Sequence, residues 1–340
     1  MSAAVTTTHV RTVDGADQAF AGVLTDLNNT TAIVTAGLSK SVGSCRHTRE
    51  ITNYLFTIEH PRSRIVHNPV RALSPALSVA RFLWLMAGSN HLEDILPYDA
   101  GARRFSDDGR TIPGSSFGHR IMKADGFNQL DSAASLLRND PSTRRAMLAI
   151  YQPSDCGRDS YDIPCLSSLA YQIRGHALHA THIFRSNNAY LLLPHNLFEL
   201  SLLAEVLATE LGVPLGTVTH FVVSMHLYES DRGSACKAVQ AHGFAVPPPM
   251  ETMPATPPPR AEIEEILCLQ EELRRHTGAG SCDWHRLVDN ATRIGTEYWR
   301  QFYYVLLLER AEALLRNEVS DWIRNSLCEP WRSWVQHPFK

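Results

Sequence analysis

The stretch DIPCLSSLAYQIRGHALHATHIFRS, residues 162–186, is the part of the sequence that most directly predicts a fold. Apolar and polar side chains alternate through residues 168–174 and again through residues 178–184, and Gly175 stands between the two runs. Alternation with a period of two is typical of strands with one buried face, and a short connection containing glycine is typical of a hairpin. The stretch therefore predicts two adjacent antiparallel strands.

A cysteine stands at the entrance to this hairpin, because Cys165 directly follows Pro164. Proline fixes the backbone that leads into the thiol. A single cysteine is more often a small buried apolar residue than a reactive one. Here, however, the second run is followed by Arg185 and Ser186, which add a cation that can bind phosphate and lower the pKa of a thiol. Cys165 is therefore a candidate nucleophile.

Further predicted elements flank the hairpin on both sides. Residues 196–212 have an N-capping asparagine and apolar side chains on one face, so they predict a helix that packs on the sheet. Residues 220–228 predict another strand, and residues 70–88 predict a core helix. Residues 98–118 are rich in Asp, Gly and Ser and predict an irregular loop region. These elements together indicate an α+β fold.

The sequence predicts that the chain divides into four regions. Seven prolines fall within residues 246–260, which excludes a helix there and favours an extended connector. Beyond it, charged and apolar residues recur at helical spacing. We expect a flexible N-terminal tail (residues 1–30), a catalytic domain (31–245), a proline-rich connector (246–260) and a helical C-terminal extension (261–340).

Composition narrows the classes of function. The chain has 340 residues, of which 44% are hydrophobic, and a net charge of -3, so it lacks the basic field that holds a nucleic-acid polymer. Its apolar runs are too short to span a bilayer, and its N-terminus does not resemble a secretion signal, so we expect a cytoplasmic protein. The seven cysteines show no CxxC spacing, so neither a disulfide framework nor a metal site is expected.

Five short motifs follow one another along the chain. They are Arg144-Arg145, Pro164-Cys165, Arg185-Ser186, Pro194-His195-Asn196 and His226-Leu227-Tyr228. In this order they resemble the thymidylate synthase and pyrimidine-nucleotide hydroxymethylase family, over roughly residues 46–228. The resemblance implies a mixed or antiparallel sheet packed by helices, with the C-terminal helices as an appendage.

The resemblance also implies the chemistry. Cys165 would attack C6 of a pyrimidine nucleotide, and C5 would then take a one-carbon unit from methylenetetrahydrofolate, its co-substrate. Asn196 would face the base. An amide has both a donor and an acceptor, so it can pair with O4 and N3–H of uracil, and an asparagine at this place in the family goes with uracil. A uracil nucleotide is therefore the expected substrate.

The resemblance further implies which residues bind the phosphate and the sugar of the nucleotide. The residues expected to bind the 5′-phosphate are Arg46, Arg185 and Ser186, together with Arg144 and Arg145 of the neighbouring subunit, and this sharing implies a homodimer. His226 and Tyr228 would hold the sugar hydroxyl.

Three positions depart from the family pattern. Arg81 stands where the family carries a glutamate, and arginine cannot act as a base. Glu50, Glu93 and Asp94 are possible substitutes that the sequence does not separate. In the folate site, Asn188 replaces an aspartate and Phe105 stands near the place of an indole.

Three hypotheses follow. The chain ends RSWVQHPFK instead of in the short apolar segment that closes thymidylate synthases over the folate. Because water traps an exocyclic methylene intermediate in an open site, this ending favours hydroxymethylation as the leading hypothesis. Reductive methylation, as in thymidylate synthase, is the second. The third is a nucleotide-binding homodimer without catalysis, which the substitutions at Arg81 and Asn188 keep open.

Overall fold

The computed structural model describes residues 10–36, 46–243, 247–278 and 283–336. The described strands are β1 (Val10–Val13), β2 (Ile33–Ala36), β3 (Arg46–Ile58), β4 (Met147–Ala149), β5 (Leu166–Arg174), β6 (Ala177–Phe184), β7 (Asn187–Asn188) and β8 (Leu215–Tyr228). The described α-helices are α1 (Ala16–Asn29), α2 (Pro75–Met86), α3 (Leu92–Ile95), α4 (Phe117–Met122), α5 (Gln129–Asn139), α6 (Leu193–Glu210), α7 (Arg232–Gln240), α8 (Pro259–Gly278), α9 (Trp284–Asp289), α10 (Glu297–Ala313), α11 (Asn317–Ser326) and α12 (Trp331–Val335). No helix among these residues is long and apolar enough to span a membrane.

The strands form one mixed sheet in the order β1-β3-β8-β6-β5-β4, with β2 added on β3 and β7 on β8. The predicted hairpin is confirmed: β5 and β6 are antiparallel. Its turn places both Gly175 and His176 at positive φ, 56° and 67°, which is the backbone of a tight turn that matches strand twist. β6 and β8 are parallel, and α6 makes the crossover between them. The mixed sheet packed by helices is therefore as predicted.

Helix α6 is buried along almost its whole length, because it contacts β6 and β8 on one side and α1, α2 and α8 on others. It begins three residues before the predicted start, with Pro194 in its first turn, where a missing N–H costs nothing. Asn196 is therefore a buried residue inside the helix, and not the N-cap that the sequence predicted.

The prediction of a flexible tail is wrong for residues 10–30. β1 pairs in parallel with β3, and α1 buries Phe20, Leu24 and Leu27 almost completely. The apolar residues within 16–29 recur at helical spacing. Burial of these residues favours an ordered helix, although the neighbouring sequence is polar. Residues 1–9 lie outside the described part of the chain.

The C-terminal extension is helical, as predicted, and it belongs to the same hydrophobic core as the sheet. α10 packs against α2, where Trp299 stacks on Phe82 with ring centroids 6.4 Å apart. Residues 247–258 form neither helix nor strand, and the backbone N–H of Met253 donates to Glu205 of α6 at 3.1 Å. Glu205 also pairs with Arg64, and both side chains are almost fully buried.

Two histidines lie in the interior of the sheet. His182 and His220 are both 0% exposed, and His182 Nδ1 lies 3.2 Å from His220 Nε2. The His220 ring stacks on Phe56 with centroids 4.9 Å apart. Burial lowers the pKa of His182 to about 3 and also holds the pKa of His220 well below its usual range. Both rings are therefore neutral in the folded protein at neutral pH.

This pair predicts a loss of stability in acid. Below about pH 6.5 the unfolded chain binds protons that the folded pair does not, so each histidine lowers the free energy of unfolding by about 1.4 kcal/mol per pH unit. The loss begins near pH 6.5 and ends once the folded pair itself is protonated, near pH 3 for His182. Replacing both histidines by phenylalanine should flatten the pH dependence of urea unfolding between pH 4 and 7. His91→Gln, at an exposed position, is the control and should leave the slope unchanged; equal slopes in all three proteins would contradict the prediction.

Candidate active site

Cys165 lies immediately before β5, and Arg185 lies immediately after β6. The hairpin register pairs Leu166 with Phe184, so the two residues are neighbours across the strand ends. The backbone N–H of Arg185 donates to the carbonyl of Cys165 at 2.9 Å. The hairpin therefore brings the candidate nucleophile and a cation together.

The Arg185 guanidinium holds the turn that carries the thiol. Its Nε donates to the carbonyl of Pro164 at 2.8 Å, and its Nη2 donates to the carbonyl of Ile163 at 3.0 Å. Nη2 also lies 3.8 Å from Cys165 Sγ. Arg185 is exposed, and no carboxylate pairs with it among the described residues, so its charge is available to an anionic ligand.

Burial raises the pKa of the Cys165 thiol, the nearby Arg185 guanidinium lowers it, and the Asp162 carboxylate raises it further. The net pKa is above the usual value for cysteine, so the thiol of the free protein is mostly protonated at neutral pH. Arg185 is the group that moves this thiol towards the reactive thiolate.

Asp162 was not singled out from the sequence, yet it organises the segment before Cys165. Its Oδ2 accepts hydrogen bonds from the backbone N–H groups of Gly114 and Ser115, both at 2.6 Å, and its Oδ1 accepts from the Ser115 hydroxyl at 2.6 Å. A Cβ on Gly114 would lie 2.6 Å from the carbonyl oxygen of Asp162, so only glycine permits this approach. Asp162 thus fastens the Asp- and Gly-rich loop beside the nucleophile.

Ser186, one of the predicted phosphate residues, lies directly before β7 and next to the predicted sugar residues on β8. Ser186 Oγ lies 3.4 Å from His226 Nδ1, and the His226 and Tyr228 rings are 5.4 Å apart. Burial lowers the pKa of His226, while a contact with the Ser224 carbonyl and the charge of Glu50 oppose this shift. His226 is therefore a neutral imidazole at neutral pH that can donate or accept a hydrogen bond.

Glu50 is the one of the three substitute carboxylates that lies in this part of the sheet, opposite His226 in the register of β3 and β8. Its Oε1 accepts a hydrogen bond from the Ser224 hydroxyl. Glu93 is exposed, and Asp94 pairs with Arg274 of the extension at 3.3 Å.

Three asparagines occupy the start of α6 and the strand before it. Asn196 Nδ2 donates to Asn187 Oδ1 at 3.2 Å, and both residues are buried. Asn188 Oδ1 accepts from the backbone N–H groups of Tyr190 and Leu191 at 3.0 and 2.8 Å. The Asn188 oxygen is therefore already used within the chain, whereas the Asn196 amide keeps an oxygen for a ligand.

The crossing of α2 and α6 carries two buried polar pairs. Ser78 Oγ lies 3.2 Å from His195 Nδ1, and Arg81 Nη2 lies 2.8 Å from Glu199 Oε1. Burial, together with the charges of Arg81 and Arg71, holds the pKa of His195 well below its usual range. Glu199 thus places a carboxylate beside Arg81, and no local sequence pattern marks it for this position.

The remaining predicted residues are placed as follows. Arg46 begins β3, and its side chain lies outside what the structure describes. Arg144 and Arg145 are exposed and form no ion pair with any described residue. Phe105 ends a short 3-10 helix (Ala100–Phe105) in the region predicted to be irregular, is half-buried, and has the guanidinium of Arg104 4.7 Å above its ring.

The sequence and the fold are both similar to those of known proteins. Residues 32–256 match the family model described as thymidylate synthase. The chain belongs to the thymidylate synthase family. A solved thymidylate synthase, thermostable thymidylate synthase A from Bacillus subtilis, superposes with a TM-score of 0.57 over 69% of this chain and 87% of that one, at 19% sequence identity. This likeness supports the family fold.

Relatives of the thymidylate synthase family carry two kinds of name. The deoxyuridylate hydroxymethyltransferase of Bacillus phage SP01 is 29% identical over 55% of this chain and 52% of that protein. That of Delftia phage PhiW-14 is 30% identical over 58% and 60%. A protein of Methanothermobacter marburgensis with a provisional thymidylate synthase name is 29% identical over 54% and 78%. The chain thus spans about half of the length of the first of these relatives.

The contacts of Asp162 predict the effect of removing its charge. In Asp162→Asn the amide oxygen can accept from both backbone N–H groups, and its NH₂ can donate to Ser115, so the loop should stay in place. Loss of the negative charge should lower the pKa of Cys165, so iodoacetamide should alkylate the thiol several-fold faster at pH 8. Arg185→Met should slow alkylation at the same pH. Unchanged rates in both variants would show that these charges do not act on the thiol.

Proposed function

We propose that this protein is a one-carbon transferase that hydroxymethylates C5 of a pyrimidine nucleoside 5′-monophosphate, with dUMP as the preferred substrate. The observation that carries the proposal is the placement of Cys165 beside Arg185, with Ser186 and His226 next in line. This arrangement combines a nucleophile, an anion-binding cation and hydrogen-bonding groups for a sugar. The names of the phage relatives give it modest support.

The proposed reaction begins with the Cys165 thiolate. Its sulfur forms a bond to C6, and the electron pair of the C5–C6 double bond moves towards C5 and the C4 carbonyl. C5 then forms a bond to the one-carbon unit, for which methylenetetrahydrofolate is the proposed donor. Loss of the C5 proton then breaks the bond between the one-carbon unit and its nitrogen, which releases tetrahydrofolate and leaves an exocyclic methylene on C5 while sulfur is still bound to C6. Water adds to this methylene, and expulsion of the Cys165 thiolate from C6 restores the C5–C6 double bond and gives the hydroxymethyl product.

The nucleotide would be held by three groups of side chains. Arg185, Ser186 and Arg46 would bind the phosphate together with the partner subunit's Arg144 and the partner subunit's Arg145. His226 and Tyr228 would bind the sugar hydroxyl. Asn196, fixed by its contact with Asn187, would present its amide oxygen to N3–H of uracil.

The folate side of the site differs from what the resemblance implies. Asn188 is neutral and its oxygen is taken by two backbone N–H groups, so it does not offer the pterin an anionic acceptor. Phe105 offers an apolar ring that is only half-buried. We therefore propose that the co-substrate is bound chiefly by other contacts in this chain, and Asn188→Ala should change its KM little.

Hydroxymethylation is preferred over reductive methylation because the described site is open. In the described chain by itself, Arg185 is exposed and Ser186 is only partly buried, which favours access of water to a methylene formed beside them. Reductive methylation of dUMP remains the second candidate, favoured by Asn196 and by the family to which the chain belongs.

A homodimer is part of the proposal. On one face of the central strands the side chains are buried throughout, whereas Thr219, Phe221 and Ile183 on the opposite face are only partly buried and Val223 is 45% exposed. Within the described chain no helix covers this face. A second copy packed there would bury it and would explain why Arg144 and Arg145 are exposed without a partner among the described residues.

The reaction is tested by incubating the protein with methylenetetrahydrofolate and dUMP, UMP, dCMP or CMP, followed by mass spectrometry of the nucleotides. We expect 5-hydroxymethyl-dUMP and no dihydrofolate absorbance, since hydroxymethylation leaves the folate reduced. Cys165→Ser should abolish product. Formation of dTMP with dihydrofolate would establish the second candidate instead, and the absence of any product would rule out both.

Sharing of arginines predicts complementation between two inactive variants. Cys165→Ser lacks the nucleophile, and the double variant Arg144→Met/Arg145→Met lacks the arginines donated to the partner. Unfolding and refolding the two together should restore about one quarter of the wild-type activity, because half of the dimers are hybrids and each has one complete site. Each variant refolded alone is the control. No recovery in verified hybrids would exclude shared sites.

A further inference from the structure

The buried pair formed by Arg81 of α2 and Glu199 of α6 is the feature that the proposed reaction leaves unused. Arg81 Nη2 donates to Glu199 Oε1 at 2.8 Å, and the side chains are 15% and 3% exposed. One turn earlier on both helices, Ser78 contacts His195. A buried arginine is costly unless it is paired, so Glu199 is what allows Arg81 to lie here.

The hydrogen bond to Glu199 leaves other N–H groups of Arg81 without an acceptor among the described residues. A guanidinium has five N–H groups, and among the described residues the hydrogen bond to Glu199 is the one that Arg81 makes. Its Nε is buried and has no partner in this part of the chain. A buried donor without an acceptor costs free energy, and this points to an acceptor that a ligand brings.

The position of the pair relates it to the proposed base-binding residue. Glu199 lies three residues after Asn196 on α6, so the two side chains share one face of the helix. Asn196 in turn contacts Asn187, which follows Ser186 directly. Arg81 thus pairs with a residue that lies one helical turn from the residue proposed to face the base.

We propose that Arg81, held in place by Glu199, stabilises the negative charge that develops on O4 of the pyrimidine when Cys165 adds to C6. This inference rests on the proposed function. As the S–C6 bond forms, the C5–C6 π electrons shift to C5 and the C4–O4 bond becomes an enolate. A fixed cation near O4 favours this state over the neutral ground state, as donors do at other developing oxyanions.

Arg81 and Glu199 have different roles in this proposal. Arg81 cannot give up its proton at ordinary pH, so it acts as a fixed charge and not as an acid or base. Glu199 is a positioning residue that neutralises Arg81 when no enolate is present. The contribution of Arg81 should therefore fall on the rate at saturating nucleotide and not on nucleotide affinity.

The test is the release of tritium from 5-tritiated dUMP. In this exchange Cys165 adds to C6, water protonates C5, the tritium leaves to water and the thiolate is expelled, so no other reactant is needed. The variant is Arg81→Met/Glu199→Gln, which leaves no unpaired buried charge. We expect the rate at saturating dUMP to fall about 100-fold, with the dUMP Kd and the melting temperature near wild type.

The matched control is Arg260→Met/Glu210→Gln. It removes another arginine–glutamate pair of α6, at the far end of the helix, where Arg260 Nε donates to Glu210 at 2.6 Å. This variant should exchange at the wild-type rate. Glu199→Gln alone keeps the guanidinium and should lose about ten-fold or less.

The outcomes distinguish a failure of this inference from a failure of the proposed function. If the wild type releases no tritium, the proposed function fails and the role of Arg81 fails with it. If the wild type exchanges and the Arg81→Met/Glu199→Gln variant matches it, only the role of Arg81 is overturned. An equal loss in Glu199→Gln alone would also overturn it, because the carboxylate would then carry the effect.

Discussion

The Arg185 guanidinium ties the end of β6 to the turn before β5, through hydrogen bonds to the carbonyls of Ile163 and Pro164. This contact fixes where Cys165 can lie, and it leaves the same cation 3.8 Å from the sulfur. Asp162 makes the complementary attachment on the other side of the turn, to Gly114 and Ser115. The position of the thiol is thus set by one arginine and one aspartate. Burial has the largest effect on the pKa of the thiol and raises it, while Arg185 and Asp162 act on it in opposite directions.

Helix α6 provides the second constraint. It is buried against the sheet, α1, α2 and α8, so each of its polar residues must find a partner inside the protein. Asn196 contacts Asn187, His195 contacts Ser78, and Glu199 pairs with Arg81. Because these partners lie on different elements, the helix fixes the candidate site residues at its start, and it also packs against α8 of the extension.

Local patterns in the sequence predicted much of this. Alternation around Gly175 gave the hairpin, and the hairpin alone places Arg185 beside Cys165. The predicted start of α6 at Asn196 was wrong. Asparagine is favourable as an N-cap, but proline is equally favourable in the first turn of a helix, and the helix includes Pro194 in its first turn. The roles of Asp162 and Glu199 were out of reach, since each depends on residues distant in the chain, such as Ser115 and Arg81, whose approach only the packed fold determines.

Under the proposed function, the charge on the site gives a reason why arginines of two subunits would share one site. Arg185 lowers the pKa of Cys165, but under the proposed function it also binds a phosphate that carries nearly two negative charges. A phosphate bound to Arg185 alone would cancel its effect on the thiol, and burial and Asp162 would then keep Cys165 protonated. Further cations are needed to outweigh the phosphate. In a chain with a net charge of -3, Arg144 and Arg145 are exposed, adjacent and form no ion pair with a described residue, which suits them to that task in a second subunit.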